Sequence, residues 1–196
     1  MHKFISRLRP SAIGHRTRRL AATLTIVSAL VGGSAVLASA PAMADTASYN
    51  QLTSTSSWYS LDVSGASTSL FAPIDVWYDN GNANQQFTYP ENSGQVAEIR
   101  NQNSGMCVST DGTAGDTLFQ LPCENAADQE WLAEPWTAWW NPGKTMVTFL
   151  NPWSGLVMDV YGDSYSPGAS VDAWYPDGGL NQSWTLPGCS NSIACE

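Results

Sequence analysis

The strongest constraint in this chain is an internal repeat. Gln85-Gln86-Phe87, Gln129-Glu130-Trp131 and Gln182-Ser183-Trp184 are three Gln-x-aromatic triplets, each preceded by a polar residue (Asn84, Asp128, Asn181) and spaced by 44 and 53 residues. One triplet carries little information; three at domain-scale spacing mark a repeat architecture. The first and third copies also agree upstream. Asp62 and Asp159 each follow an apolar residue. In both copies a second Asp lies 13 residues later (Asp75, Asp172), a Trp 15 later (Trp77, Trp174), an Asn 22 later (Asn84, Asn181) and the closing aromatic 25 later (Phe87, Trp184). The middle copy is three residues shorter, with Ser109, Leu121 and Asp128 in place of the acid, the ring and the amide. Leu52, Ile99 and Phe149 open the copies, each ten residues before Asp62, Ser109 and Asp159.

Within the copies the apolar residues alternate with polar ones, as in Ile74-Asp75-Val76-Trp77, Val171-Asp172-Ala173-Trp174 and Met146-Val147-Thr148-Phe149. Turn chemistry separates these runs: Asp79-Asn80-Gly81, Asp111-Gly112, Asn141-Pro142-Gly143 and Pro176-Asp177-Gly178-Gly179. No sustained helical period interrupts them. Many short strands with regular turns predict an all-β sandwich or barrel-like fold. One copy is too small to hide its own apolar face, so the three must close on each other.

These residues resemble the ricin B-type lectin domain, from residue 52 to about residue 186. The resemblance implies a β-trefoil: three four-stranded lobes, here about 52–98, 99–148 and 149–196, around a pseudo-threefold axis. It also implies carbohydrate binding. Asp62, Trp77 and Asn84 would form one sugar site and Asp159, Trp174 and Asn181 another, with Gln85 and Gln182 orienting the acids. The chemistry suits the task. A carboxylate accepts from two adjacent hydroxyls, and an amide both donates and accepts. An indole offers a flat apolar face to the C–H side of a pyranose ring. The competing reading makes the acids turn caps and the indoles core, and the two readings predict opposite exposure for Trp77 and Trp174. Asp75 and Asp172 stand where many members of the family carry Gln. Alternation with Ile74 and Val76, or Val171 and Ala173, predicts that both face outward and still accept a hydroxyl. The middle copy is expected to be scaffold without a sugar site, and Phe87, Trp131 and Trp184 to fill a shared core.

Residues 1–20 carry Lys3, Arg7, Arg9, Arg16, Arg18 and Arg19 and no acid; an apolar run follows at 20–38, then Ala42-Met43-Ala44. This is the pattern of a secretory signal peptide, residues 1–44, cut before Asp45. A membrane anchor is the weaker reading, because Gly32-Gly33-Ser34 interrupts the run. Arg18-Arg19 is a faint twin-arginine signal. Residues 45–196 would then form the secreted domain, with Arg100 and Lys144 as its only bases against all 17 acids. Such a surface repels nucleic acid and anionic membranes and leaves neutral glycans as attractive partners.

Four cysteines in an exported chain predict disulfides, with three pairings open. The resemblance puts a bridge inside the middle copy at Cys107–Cys123, and Cys189–Cys195 is expected to pin the C-terminal tail. His2 and His15 are the only histidines and leave with the leader, which removes triad and histidine–metal chemistry. Nothing marks Asp62 with Asp75 as the acid and base of a glycosidase. No cofactor or metal ligand set is expected. The chain reads as a secreted, non-catalytic lectin for neutral sugars, galactose-type or xylan by family resemblance. The alternative is an interaction protein or protease inhibitor that docks through Trp136, Trp139, Trp140 and Trp153.

Overall fold

In a computed structural model, residues 48–90, 94–137 and 145–186 are described here. Thirteen strands follow one another. In the first copy they are β1 (Thr53–Ser54), β2 (Ser60–Val63), β3 (Ile74–Trp77) and β4 (Phe87–Thr88). The middle stretch holds β5 (Val96–Glu98), β6 (Arg100–Asn101), β7 (Cys107–Ser109), β8 (Phe119–Leu121) and β9 (Glu130–Thr137). The last copy holds β10 (Thr145–Asn151), β11 (Leu156–Val160), β12 (Ala169–Trp174) and β13 (Trp184–Thr185). Among the described residues there is no α-helix, only short 3-10 turns, and no helix long and apolar enough to cross a membrane.

The strands pair in the order β11-β12-β3-β2-β1-β13-β10-β9-β5, and β10 also pairs with β11, which closes the first seven into a ring. A second sheet runs β4-β6-β7-β8. Closure leaves no edge along that ring, which is how an antiparallel fold avoids open pairing.

Threefold equivalence shows in the hydrogen bonds that join the copies. Phe71 N donates to Gln120 O at 2.9 Å, Gly115 N to Ala173 O at 2.8 Å and Gly168 N to Val76 O at 2.7 Å. Each copy thus binds the next, and the third returns to the first. A second set lies within the copies: the N–H groups of Trp58, Gly105 and Gly155 donate to the carbonyls of Ser54, Asn101 and Asn151 at 2.9–3.0 Å. The architecture is the β-trefoil that the repeat pattern predicts.

The core is built from the predicted positions. Leu52, Ile99 and Phe149 are fully buried, as are Phe87, Trp131 and Trp184. Burial of an indole needs a partner for its N–H. Trp131 Nε1 donates to Val108 O at 3.0 Å and Trp184 Nε1 to Met158 O at 3.4 Å; Phe87, at the third equivalent place, has no such group to satisfy. Cys107 and Cys123 form the expected disulfide. Cys189 and Cys195 lie outside the described residues, as do the leader, Trp139 and Trp140.

Candidate functional site

Strand register brings the repeated acids together. In the β2–β3 hairpin Asp62 stands directly opposite Asp75, and Ser60 opposite Trp77. In β11–β12 Asp159 stands opposite Asp172, and Val157 opposite Trp174. Residues two apart on a strand share a face, so each acid pair has a Trp on its own side of the sheet. After each first strand comes a tight turn, Ser64–Ala66 or Tyr161–Asp163, carrying two consecutive left-handed residues. Gly65 (φ 63°) and Ala66 (φ 52°) correspond to Gly162 (φ 63°) and Asp163 (φ 51°). These turns form one rim of each hollow.

The 3-10 turns Ala83–Gln85 and Leu180–Gln182 supply the amides. Asn84 Nδ2 and Gln85 Nε2 both donate to Asp62 Oδ2, each at 2.8 Å. Asn181 Nδ2 and Gln182 Nε2 both donate to Asp159 Oδ2, at 2.8 and 2.9 Å. Both donors fall on one oxygen, so each acid is held rigidly through Oδ2. Each Gln does more. Gln85 Nε2 also donates to Tyr78 O at 2.9 Å and its Oε1 accepts from Asn80 N at 3.0 Å. Gln182 does the same with Tyr175 O and Asp177 N, each at 2.9 Å.

The electrostatics follow from burial: Asp62 and Asp159 are only 4% and 3% exposed. Burial, opposed by the Gln85 amide and reinforced by the charge of Asp75, pushes the Asp62 carboxyl up to about 6. Burial and then the charge of Asp159 push Asp172 up to about 7. Asp75 rises by burial, against the pull of the Ser64 hydroxyl. Asp159 rises by burial too, with the two amides opposing and the charges of Asp177 and Asp163 adding to it. Charges of one sign directly opposite across two strands are destabilising unless something compensates them.

Trp77 and Trp174 are 43% and 40% exposed, and each lines a hollow with its acids. The first hollow, about 390 Å³, is lined by Asp62, Asp75, Trp77 and Asn84 together with the turn at 64–66. The second, about 440 Å³, is lined by Asp159, Asp172, Trp174 and Asn181, with Tyr161, Asp163 and Asp177 at its rim. Both volumes suit a small ligand. The exposure favours the platform reading of the indoles over the core reading.

Two expectations need correction. Asp172 does not face outward: it is only 2% exposed, standing opposite Asp159 on one side and paired through its backbone with Thr117 of the middle copy on the other. Asp75 is half-buried, and its Oδ1 is enclosed. Alternation along a strand points a residue away from the core, but it cannot say whether another segment roofs it over. Asn84 is buried as well, and its amide nitrogen is committed to Asp62 and Val63 O.

In the middle copy Gln129 Nε2 donates to Ser109 Oγ at 3.1 Å and to Pro122 O at 2.9 Å. The brace is kept, but Phe119 stands opposite Ser109 where the other copies place the second acid. Phe119 packs on Phe71 at 5.5 Å. Glu98, Cys107 and Cys123 bring potential ligand atoms together, but both sulfurs are spent in the disulfide. Trp153 is exposed; the side chain of Trp136 lies outside the described residues.

Several positioning residues escaped the sequence reading. Asn101 Nδ2 donates to Asn84 O at 2.9 Å and so fixes the amide-bearing turn from the neighbouring copy. Asn151 does the same to Ala127 O and Glu130 O, at 2.8 and 2.9 Å. A signal existed: both open an Asn-x-x-Ser-Gly run, Asn101 to Gly105 and Asn151 to Gly155. Gly168 and Gly115 lie against the edges of Trp77 and Trp174. A Cβ on either would come within 3.3 or 3.2 Å of the ring. These cross-copy contacts have no sequence signature.

The ricin-type β-trefoil lectin domain matches residues 48–184. The chain belongs to that family, and its class is that of a carbohydrate-binding protein. Among solved structures it is similar to the designed threefold-symmetric protein ThreeFoil, with 26% identity, a TM-score of 0.61, and coverage of 70% of this chain and 96% of that one. It is also similar to part of an exo-β-1,3-galactanase from Clostridium thermocellum, with 27% identity and a TM-score of 0.63 over 73% of this chain and 30% of that one. A third similarity is to part of the hemolytic lectin CEL-III, with 30% identity and a TM-score of 0.55 over 70% of this chain and 29% of that one. No curated protein matches the chain.

Proposed function

We propose that this is a secreted, non-catalytic lectin that seats neutral sugars in the hollows of its first and third lobes, after a leader at residues 1–44 has been removed. The carrying observation is the duplicated constellation: an acid held on one oxygen by two amides, beside a half-exposed indole, in both hollows. Fixed acceptors and a preset ring cost little ordering on binding. The indole takes the apolar face of the sugar and the acid takes its hydroxyls. A galactose-type polymer is the favoured ligand, supported by the similarity to part of a galactanase; xylan is the family's other expectation.

The direct test is retention on immobilised galactan and xylan. Asp62→Ala combined with Asp159→Ala should abolish retention while circular dichroism and the melting curve still report a folded protein. Retention by that folded double variant would move the site elsewhere. A protein-docking role has one observation in its favour: Leu70 and Phe71 of the first copy are exposed beside Phe119 of the middle copy, and they are the place to look if no glycan is retained.

A further inference from the structure

We propose that the Asn80–Gly81 bond, on the rim of the first hollow, is a self-modification site: the turn that carries it converts Asn80 to aspartate and isoaspartate. The reaction needs no ligand. Only its effect on the hollow rests on the sugar reading.

Asn80–Gly81 is the one Asn-Gly pair in the sequence. Both residues are exposed, and Asn80 lines the first hollow. An Asn side chain reacts with its own backbone when the next peptide nitrogen attacks its amide carbon. A glycine in the next position removes the Cβ that hinders this approach. Gly81 has a φ of +69°, with open space where a Cβ would lie, so water reaches the bond.

Three hydrogen bonds arrange the reacting groups. Gly81 N donates to Asp79 Oδ1 at 3.1 Å, within reach for a general base. The proton that the nucleophile must lose already points at a carboxylate. Asn82 N donates to Asn80 Oδ1 at 2.9 Å. That bond draws the side chain back along the Asn80–Gly81 peptide. It also aims a backbone N–H at the oxygen that becomes negative during attack. Asn80 N donates to Gln85 Oε1 at 3.0 Å, which fixes the start of the turn.

The steps balance with water as the sole co-reactant. Asp79 takes the Gly81 N–H proton as the nitrogen bonds to Asn80 Cγ. The oxyanion on Oδ1 is held by Asn82 N–H. As it collapses, the Cγ–Nδ2 bond breaks and Nδ2 leaves as ammonia, carrying the proton from Asp79. Water then opens the cyclic imide. Cleavage between the nitrogen and Cγ gives aspartate. Cleavage of the original peptide bond gives isoaspartate, with one more carbon in the main chain.

The third copy shows that the aspartate fits. Asp177 holds the equivalent place, as far beyond Asp159 as Asn80 is beyond Asp62. It accepts from Gly179 N at 2.8 Å, as Asn80 accepts from Asn82 N. Aspartate at position 80 would keep the turn and add a negative charge to the rim. Isoaspartate lengthens the segment between Asn80 and Gln85. The Gln85 amide holds Asp62, so the longer segment loosens the first acid.

The purified protein, native or unfolded in urea, is aged in mildly alkaline buffer. Peptide mass spectrometry follows each Asn, and enzymatic methylation detects isoaspartate. Asn80 should convert several-fold faster in the native protein than in urea. Asn103 is the internal control: Ser104 N is committed to Asn101 Oδ1, so Asn103 should stay intact in the native protein. Asp79→Asn leaves an oxygen for the Gly81 N–H but removes the base. It should slow native conversion several-fold and leave the rate in urea unchanged. Native conversion no faster than in urea, or undiminished in Asp79→Asn, overturns the proposal. Fresh and isoaspartate forms, separated by ion exchange, are then compared on galactan. The isoaspartate form should be retained several-fold more weakly; equal retention overturns the effect on the hollow. Conversion of Asn80 in a protein that no glycan retains keeps the modification and sinks the sugar reading. Retention of a protein whose Asn80 survives ageing does the reverse.

Discussion

Gln182 shows how much one side chain carries here. It holds Asp159, closes on Tyr175 O and accepts from Asp177 N, so it ties the acid, the exit of β12 and the following turn into one unit. Gln129 makes the parallel set in the middle copy, with Ser109 Oγ, Pro122 O and Glu124 N, but it has no acid to orient. Gln182→Ala and Gln129→Ala should therefore cost similar stability, about 2–3 kcal/mol by urea unfolding, for the four and three hydrogen bonds their buried side chains make. Only Gln182→Ala should also weaken glycan retention, because only it releases a ligand-facing carboxylate. Equal effects on retention would mean that the glutamines act through the fold alone.

Strands and turns from different copies cooperate at each site. Gly168 precedes β12 in the third copy, yet the ring it backs is Trp77 of the first. Its φ of +82° already disfavours any side chain, and a Cβ there would come within 3.3 Å of the indole. Gly168→Ala should cost about 1 kcal/mol in stability and displace Trp77, reducing binding in the first hollow by several-fold in a sugar titration. Gly155→Ala is the control: its φ is +72°, but open space surrounds it. It should cost similar stability with no loss of binding. The disulfide is more local. It joins β7 to the segment just after β8, inside the copy without an acid pair. Replacing both cysteines with Ser should lower stability by about 2–4 kcal/mol and leave retention at matched fold occupancy unchanged.

At the scale of the whole molecule, closure makes the three copies one cooperative unit. The first seven paired strands form a ring, and the central aromatics come one from each copy. Two hollows on one rigid body also mean that a polymer can be gripped twice. Joining two weak sites raises apparent affinity by effective concentration, about 10²-fold or more when the ligand spans both. Asp62→Ala alone should then lower affinity for a long glycan far more than for a monosaccharide. Equal losses on the two ligands would show that the hollows work independently.

Much of this was legible in the repeat. The 13, 15, 22 and 25 residue offsets encode which residues recur, and with alternating strands they specify an all-β fold closed by three copies. Register follows, because a slip of one residue would turn Leu61 and Val63 out of the core. The acid–amide–indole set was visible for the same reason: its members keep constant spacing within one copy. What sequence could not reveal is anything decided between copies. The strand pairing that flanks Asp172 comes from Thr117 and the backing of Trp77 from Gly168. Those contacts join segments remote in the chain, with no fixed spacing to betray them. Burial depends on them, and burial is what lifts the facing acids above the ordinary carboxylate range.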